Sequence, residues 1–281
     1  MSCPFLEEGR ARYCHTAPVR KLILEGPGVA VEGRCTSPDF VKCELVGKGE
    51  AQANRCPHLE EIRVQYCAVS SVTKLVPFSD SQISICMSNS YRYCDSYLSL
   101  ARPHASSAVS GLLYSPNHLW LDVEESGLCH VGVDNFLADV VGNIDGVTFV
   151  TLRGTHCPAL ALTIHGVEWP ISFPNPLMIQ KVNTRVRSDP ARLAADPYGS
   201  GWLFEGWELP AKTRAGLVSG EQAAAWQAEE RERLAGEIHE LQPVACDGGT
   251  PVHGVAQLLP RQNLVCLLQH FFSRREWTAE A

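Results

Sequence analysis

The stretch DPYGSGWLFEGWEL, residues 196–209, decides the fold of the middle of this chain. It closes a segment from Tyr114 to about Trp207 that is built from short apolar runs with β-branched residues, such as Leu160–Ile164. Glycine, asparagine and proline separate these runs, which is the pattern of strands joined by turns. The segment therefore predicts a mostly β domain.

Three stretches of this segment carry a resemblance to a known family. They read YSPNHLWLDVEESGLCHVGVDNFLADVVGNIDGVTFVTL (114–152), FPNPLMIQKVN (173–183) and DPYGSGWLFEGWEL (196–209). Together they resemble the glycine cleavage system H protein, a relative of lipoyl domains, over residues 114–209. The resemblance implies a lipoyl-type flattened β-barrel or hybrid sandwich with a small helix near Asp134–Val141.

The resemblance also implies where a cofactor would be attached. In this family lipoate is joined to a lysine in a Glu-x-x-Lys-Ala hairpin, and the matching hairpin here reads TIHGVEWPISF, residues 163–173. Gly166 occupies the position of that lysine, and the nearest lysine, Lys181, belongs to the following strand. We therefore expect no lipoate and no cofactor-binding residue in this domain.

No catalytic constellation replaces the missing lysine. His165, Glu168 and Cys157 lie in or near the hairpin, but a single histidine there is more often solvated or packed, and the cysteine more often a buried thiol. Phosphate-binding loops, nucleophile elbows and metalloprotease motifs are absent from the sequence. We therefore expect that the chain is not an enzyme.

One cysteine-containing phrase occurs twice in the first third of the chain. CPFLEEGRARYC spans residues 3–14, and CPHLEEIRVQYC spans residues 56–67. Four cysteines follow the spacing C-x10-C-x20-C-x7-C in the first copy and C-x10-C-x18-C-x7-C in the second. The sequence therefore predicts an internal repeat, with Cys-rich modules at residues 1–50 and 51–101.

The repeated cysteines have the chemistry of metal ligands. A module of this length forms little core alone and usually needs a staple. Four thiolates suit either zinc or an iron–sulfur cluster, and the spacing does not choose between them. We expect one site per repeat, formed by Cys3, Cys14, Cys35 and Cys43 in the first and by Cys56, Cys67, Cys86 and Cys94 in the second.

Two alternatives for these cysteines stay open. Buried thiols or disulfides that duplicated with their module would give the same pattern, since cysteine packs as a small apolar residue. Ligation shared across the repeats is also permitted, although a duplicated unit that folds around its own metal needs no new geometry. Cys129, Cys246 and Cys266 lack ligand spacing and are expected to be structural.

The rest of the chain divides by composition. Residues 102–111 are small and polar and predict a linker, and residues 112–210 form the H-protein-like domain. Residues 211–281 predict a helical extension, with one helix around Leu234 and another around Leu267. The predicted fold class is α+β, mainly β in the middle, with two small Cys-rich repeats before it and helices after it.

Charge and hydropathy limit the partners. A net charge of −7 and a pI near 5.8, without a run of lysine or arginine, argue against nucleic acid and anionic membranes as partners. No segment has the apolar length of a signal peptide or a membrane span. We therefore expect a cytoplasmic protein without membrane insertion.

Two functions remain in different classes. The first is a non-catalytic adaptor that docks a protein partner through the degenerate lipoyl-type domain, with the cysteine repeats as structural metal clips. The second is an accessory protein for electron or sulfur transfer, in which the repeats carry iron–sulfur clusters or reactive thiols and the lipoyl-type domain docks onto an oxidoreductase complex.

Overall fold

The computed structural model of the chain separates into two compact units, which we call the cysteine-rich unit (Met1–Tyr97) and the sandwich unit (Leu98–Ala281). The linker predicted at 102–111 lies outside the described residues except for Gly111, and so does the boundary predicted between residues 50 and 51. The structure describes residues 2–15, 22–25, 34–44, 46, 55–70, 72, 74–76, 84–100, 111–241, 246–247 and 250–273.

The cysteine-rich unit is built on one antiparallel sheet. Its strands are β1 (Leu6–Cys14), β2 (Leu22–Glu25), β3 (Leu59–Cys67) and β4 (Leu75–Val76), in the order β2-β1-β3-β4. The repeated phrase supplies β1 and β3, which pair over their full length with Arg10 opposite its own counterpart Arg63. The two repeats therefore share one sheet around a pseudo-twofold centre.

Each repeat continues into a pair of short 3-10 helices. The first copy has Arg34–Thr36 and Pro38–Lys42, and the second has Ile85–Met87 and Asn89–Tyr93. A short helix α1 (Asp95–Leu98) follows the second pair. The third cysteine of each repeat lies within the first helix of its pair, and the fourth cysteine directly follows the second.

The sandwich unit contains two larger antiparallel sheets. One has seven strands in the order β14-β5-β6-β7-β13-β12-β9, and the other has three in the order β11-β10-β8. Their bounds are β5 (Leu113–Tyr114), β6 (Leu119–Val123), β7 (Leu128–Val133), β8 (Gly146–Phe149), β9 (Gly154–His156), β10 (Ala159–Ile164), β11 (Val167–Ser172), β12 (Leu177–Val182), β13 (Phe204–Glu208) and β14 (Val218–Ser219).

Helices and a small hairpin complete the sandwich unit. None of the described helices has the length and apolarity that a bilayer crossing requires. The elements are α2 (Asn135–Val141), α3 (Thr184–Ser188), α4 (Arg192–Ala195), α5 (Gly220–Leu241), β15 (Cys246–Asp247), β16 (Thr250–Pro251), a 3-10 helix (Val255–Leu258) and α6 (Arg261–Phe272).

The predicted fold class is confirmed by this arrangement. Side chains alternate along β10, where Leu160, Leu162 and Ile164 are buried, as expected for a strand with one face on a core. The same apolar cluster includes side chains of α2 and α6, so the C-terminal helices pack on the sandwich. The small helix predicted near Asp134 is α2, and the Asp134 carboxylate caps it by accepting the Leu137 N–H at 2.9 Å.

The stretch at residues 196–209 decides the fold through local hydrogen bonds. The Asp196 carboxylate accepts the Ser200 N–H at 2.7 Å, and the Asp196 carbonyl accepts the Gly201 N–H at 2.9 Å. A side chain at Gly201 would run into this backbone, which explains the glycine. Because Trp120 Nε1 also donates to the Pro197 carbonyl at 3.1 Å, the turn is fastened to β6.

Candidate functional site

The hairpin between β10 and β11 holds the position at which the resemblance places a lipoyl lysine. Six residue pairs join the strands, and a two-residue turn of His165 and Gly166 connects them. Both turn residues have positive φ, 49° and 71°, as tight hairpin turns require. The Gly166 N–H donates to Asp145 Oδ2 at 3.3 Å. The tip therefore presents an imidazole and a glycine backbone, and no amine.

The nearest lysine along the chain is held elsewhere. Lys181 lies on β12, with its Nζ 3.5 Å from Glu205 Oε2 and 5.0 Å from the centroid of the Trp202 ring. Burial acts to raise the pKa of Glu205, but the hydrogen bond to His130 and the charge of Lys181 outweigh it and lower the pKa overall. Lys181 thus belongs to an ion pair with a cation–π contact.

The three residues considered as a replacement active site do not converge. His165 is at the hairpin tip, and Glu168 lies next to it, opposite Thr163. Cys157 precedes β10 at the opposite end of the strand, where its Sγ is 3.5 Å from the Pro174 carbonyl oxygen. The structure therefore separates the thiol from the imidazole by the length of β10.

A buried polar cluster joins the residue before β6, the N-cap of α2 and the helix α5, and it was not predicted from the sequence. His118 is fully buried, with Nδ1 2.8 Å from Asp134 Oδ2 and Nε2 3.6 Å from Glu230 Oε2. Its ring stacks between Phe136 at 4.1 Å and Trp226 at 4.7 Å. His118 thus connects α5 to the rest of the unit through its contacts with Trp226 and Glu230.

The charge state of His118 follows from its two carboxylate neighbours. Burial acts to lower the pKa of His118, but Asp134 and Glu230 together outweigh it, so the pKa is raised. Glu230 is itself paired with Arg233 at 2.6 Å. In the sequence, only the pattern His118-x-Trp120 points to this cluster. Glu230 on α5 is not part of any motif, so its contact with His118 could not be predicted.

An open cleft of about 480 Å³ lies beside this cluster, between α2, α5 and the segment before the last 3-10 helix. Its lining combines apolar side chains with charged side chains of both signs. The lining residues are Phe136, Asp139, Val140, Arg231, Glu232, Leu234, Ala235, Val252, His253 and Val255.

The cysteines outside the repeats are dispersed. Cys129 is buried on β7, its Sγ donates to the Gly206 carbonyl at 3.3 Å, and burial raises its pKa to about 12. Cys266 is exposed on α6. The side chain of Cys246 lies outside the described residues.

The eight repeat cysteines are not grouped by repeat. β1 has nine residues, from Leu6 near Cys3 to Cys14 itself, a span of roughly 26 Å in an extended strand, and β3 separates Cys56 from Cys67 in the same way. The grouping predicted from the sequence, one four-cysteine site within each repeat, does not match this geometry, because a continuous strand holds the first two cysteines apart.

Cysteines of opposite repeats are brought together instead. The antiparallel register sets Leu6 opposite Cys67, so Cys67 arrives at the end of β1 where Cys3 lies. Across the repeats, the Cys3 N–H donates to the Cys86 carbonyl at 2.7 Å. Burial raises the pKa of the Cys86 thiol, and the neighbouring Cys3, Cys94 and Cys67 raise it further.

Metal ligation is not preformed at this cluster. Within the ranges that the structure describes, no group of three or more His, Cys, Asp or Glu side chains is arranged so that it could hold a metal ion. Burial also raises the pKa of the Cys3 thiol, with contributions from Cys94 and Cys67. Reactive thiolates have lowered pKa values, so Cys3 and Cys86 do not have the character of reactive thiols.

Comparison with known proteins gives the same assignment for the sandwich unit. The family model "Glycine cleavage H-protein" matches residues 112–230, which include the first half of α5. The H protein of Aeromonas salmonicida is 31% identical over 107 residues, which are 35% of this chain and 79% of the relative. The H protein of Neisseria meningitidis is 28% identical over 107 residues, 36% of this chain and 81% of the relative.

A solved structure was also found. The glycine cleavage system H protein of Mycobacterium marinum aligns with a TM-score of 0.37 and 22% sequence identity, and the alignment covers 43% of this chain and 98% of that one.

The family matches identify an H-protein-like domain of the lipoyl type. The chain belongs to the glycine cleavage H-protein family. Domains of this family are carriers and not enzymes. The cysteine-rich unit lies outside the matched residues.

Proposed function

We propose that this chain is a non-catalytic adaptor of the H-protein family that carries no lipoate and docks a protein partner, with a metal-stabilised cysteine-rich unit attached. The observation that carries the proposal is the hairpin tip, where His165 and Gly166 occupy the turn that presents the lipoyl lysine in the family. Without an amine at the tip, a ligase has no group to acylate.

The position and contacts of Lys181 support the absence of lipoate. Its position on β12 places it outside the hairpin turn, and its ammonium group interacts with Glu205 and the ring of Trp202. An acyl group on Lys181 would remove the positive charge that this pair uses.

The intact hairpin supports a docking role. Six β10–β11 pairs keep the regular register, so the scaffold that presents the tip has been kept although the lysine has not. Val150, Leu152 and Met178 expose 66%, 58% and 40% of their surface. Val150 lies at the end of β10 opposite the turn, where its N–H donates to the Ala159 carbonyl, and Met178 lies on β12. The matched relatives are named as proteins of the glycine cleavage system, and H proteins interact with the other proteins of that complex, which supports a protein as the partner.

The alternative is an accessory protein for electron or sulfur transfer that docks onto an oxidoreductase complex. The observation in its favour is the concentration of eight cysteines in one unit. The raised pKa values of the Cys3 and Cys86 thiols disfavour these two as the reactive thiols of this alternative.

The proposal is tested by coexpression with lipoate ligase and free lipoate, followed by intact-mass measurement. We expect the wild-type chain to stay unmodified while an H protein with its lysine, expressed in parallel, gains one lipoyl group. The matched variant Gly166→Lys places an amine at the tip, where an added Cβ has open space but the positive φ of 71° strains the new side chain. A lipoylated wild-type chain would contradict the proposal.

A further inference from the structure

We infer that the cysteine-rich unit carries two metal sites with ligand sets shared between the repeats. One set is Cys3 with Cys67, Cys86 and Cys94, and the other is Cys56 with Cys14, Cys35 and Cys43. The ligand class is a thiophilic metal, either a zinc ion or an iron–sulfur cluster. This inference deepens the metal-stabilised unit of the proposed function and rests on it.

The first argument is the register of the central strands. Leu6 lies opposite Cys67 and Cys14 lies opposite Leu59, so each end of the β1–β3 ribbon receives the first cysteine of one repeat and the second cysteine of the other. Backbone hydrogen bonds close both ends: the Ala68 N–H donates to the Phe5 carbonyl at 2.9 Å, and the His15 N–H donates to the His58 carbonyl at 3.0 Å. The pairs Cys3 with Cys67 and Cys56 with Cys14 are therefore fixed by the sheet.

The second argument is a pair of equivalent hydrogen bonds across the repeats. The Cys3 N–H donates to the Cys86 carbonyl at 2.7 Å, and the Cys56 N–H donates to the Cys35 carbonyl at 2.9 Å. Each bond joins the first cysteine of one repeat to the third cysteine of the other. The same crossed connection thus occurs at both ends of the unit.

The third argument brings in the fourth cysteines. Cys94 ends a 3-10 helix by donating its N–H to the Tyr91 carbonyl at 2.9 Å, and Cys43 does the same to Phe40 at 2.9 Å. Each helix follows directly on the one that carries the third cysteine of its repeat. The Tyr97 ring lies 6.0 Å from that of Phe5 and 4.9 Å from that of Tyr91, so the helix that ends at Cys94 lies at the Cys3 end of the ribbon.

The sulfurs of the described cysteines are not arranged to hold a metal, so the inferred sites require the cysteine side chains to rotate on binding. The backbones at both ends of the ribbon are already hydrogen-bonded, whereas a change between staggered χ1 rotamers moves a cysteine sulfur by about 3 Å. Such rotations draw four sulfurs into the tetrahedral set that thiolates form around zinc, or onto the iron atoms of a cluster. Each thiol that becomes a ligand loses its proton to solvent.

Paired substitutions separate shared from within-repeat ligation in the full chain, purified anaerobically. If the sets are shared, Cys3→Ala with Cys67→Ala removes one site and leaves half of the metal, whereas Cys3→Ala with Cys14→Ala removes both sites. Ligation within repeats predicts the reverse outcome and would overturn the inference. Cys266→Ala, on the exposed surface of the sandwich unit, is the matched control and retains all the metal.

A second measurement needs no variant, so it holds if a substituted unit does not fold. Half of the metal is removed from the wild-type chain with a chelator, and exposed thiols are alkylated. Molecules that carry four more alkyl groups than the fully metallated chain are then fragmented intact in the mass spectrometer, which sets aside free thiols outside the repeats such as Cys266. We expect the four groups on Cys3, Cys67, Cys86 and Cys94, or on the other shared set. Four groups on Cys3, Cys14, Cys35 and Cys43 would overturn the inference.

Elemental analysis of the same preparation identifies the bound metal. It also shows whether a negative result overturns this inference alone or the metal-stabilised unit as well. Zinc without iron identifies zinc sites, and iron with acid-labile sulfide in a brown preparation identifies clusters. A wild-type chain with neither element overturns both this inference and the metal-stabilised unit of the proposed function. Metal bound within repeats overturns this inference alone, and neither result bears on the lipoylation test.

Discussion

The two units of this chain differ in what is available to stabilise them. The sandwich unit buries one large apolar cluster, to which both sheets and the helices α2, α5 and α6 contribute. The described part of the cysteine-rich unit buries only seven apolar side chains, and two of these are cysteines: Cys3, Ala11, Phe40, Cys56, Val64, Val76 and Tyr93. Units with so little core usually depend on cross-links or metals. The sandwich unit is therefore stabilised by apolar packing, whereas we propose that the cysteine-rich unit is stabilised by thiolate ligation of a metal.

Metal removal is expected to have the largest effect and to separate the two units. Because structural thiolate sites contribute their binding free energy to folding, chelation should unfold the cysteine-rich unit and leave the sandwich unit folded. Hydrogen exchange measured by mass spectrometry should show lost protection in β1 and β3 and unchanged protection in β10. Equal protection of β1 before and after complete metal removal would break the comparison.

A cavity in the sandwich core is expected to have the next largest effect, on the other unit. Leu264 on α6 is fully buried, so Leu264→Ala should lower the free energy of unfolding by about 2–5 kcal/mol, as measured by denaturant titration. The control Leu258→Ala removes a side chain that is 54% exposed and should change stability by less than about 0.5 kcal/mol. Similar losses in both variants would show that α6 does not belong to the core.

The pH dependence of the sandwich unit is the smallest expected effect. The pKa of His118 is raised in the folded state by Asp134 and Glu230 despite burial, so the folded protein binds this proton more tightly than the unfolded chain. The stabilisation is fully present below the unfolded pKa of about 6.5 and is lost as the pH rises through the folded pKa.

Denaturant titrations at several pH values check this sign. The stability of the wild-type chain should fall, relative to His118→Gln, as the pH is raised above the unfolded value, because the variant has no proton to lose at this position. Arg233 pairs with Glu230 and keeps its charge throughout this range. Parallel curves for the two proteins would contradict a raised pKa of His118 in the folded state.

The sandwich fold could be predicted from the sequence because its decisive stretch acts locally. Asp196, Ser200 and Gly201 close their turn by hydrogen bonds within a few residues, so the motif itself carries the structure. The place of Gly166 in the turn of a hairpin could be predicted for the same reason, since the hairpin and the strand β12 after it have regular lengths.

The long-range contacts could not be predicted in this way. The spacing of the cysteines does not indicate whether the two copies of the strand pair with each other. In the structure they pair antiparallel, and this register places Cys67 opposite Leu6, close to Cys3. The His118 cluster depends on Glu230, which lies on a helix far along the chain. No local pattern marks either contact, because both are fixed by tertiary packing.

We propose that this member of the H-protein family works without a lipoyl group. It is tested most directly by the intact mass of the protein isolated from its own cells and measured under denaturing conditions. We expect this measurement to give the mass of the unmodified polypeptide. A species heavier by one lipoyl group, on Lys181 or on any other lysine, would contradict it.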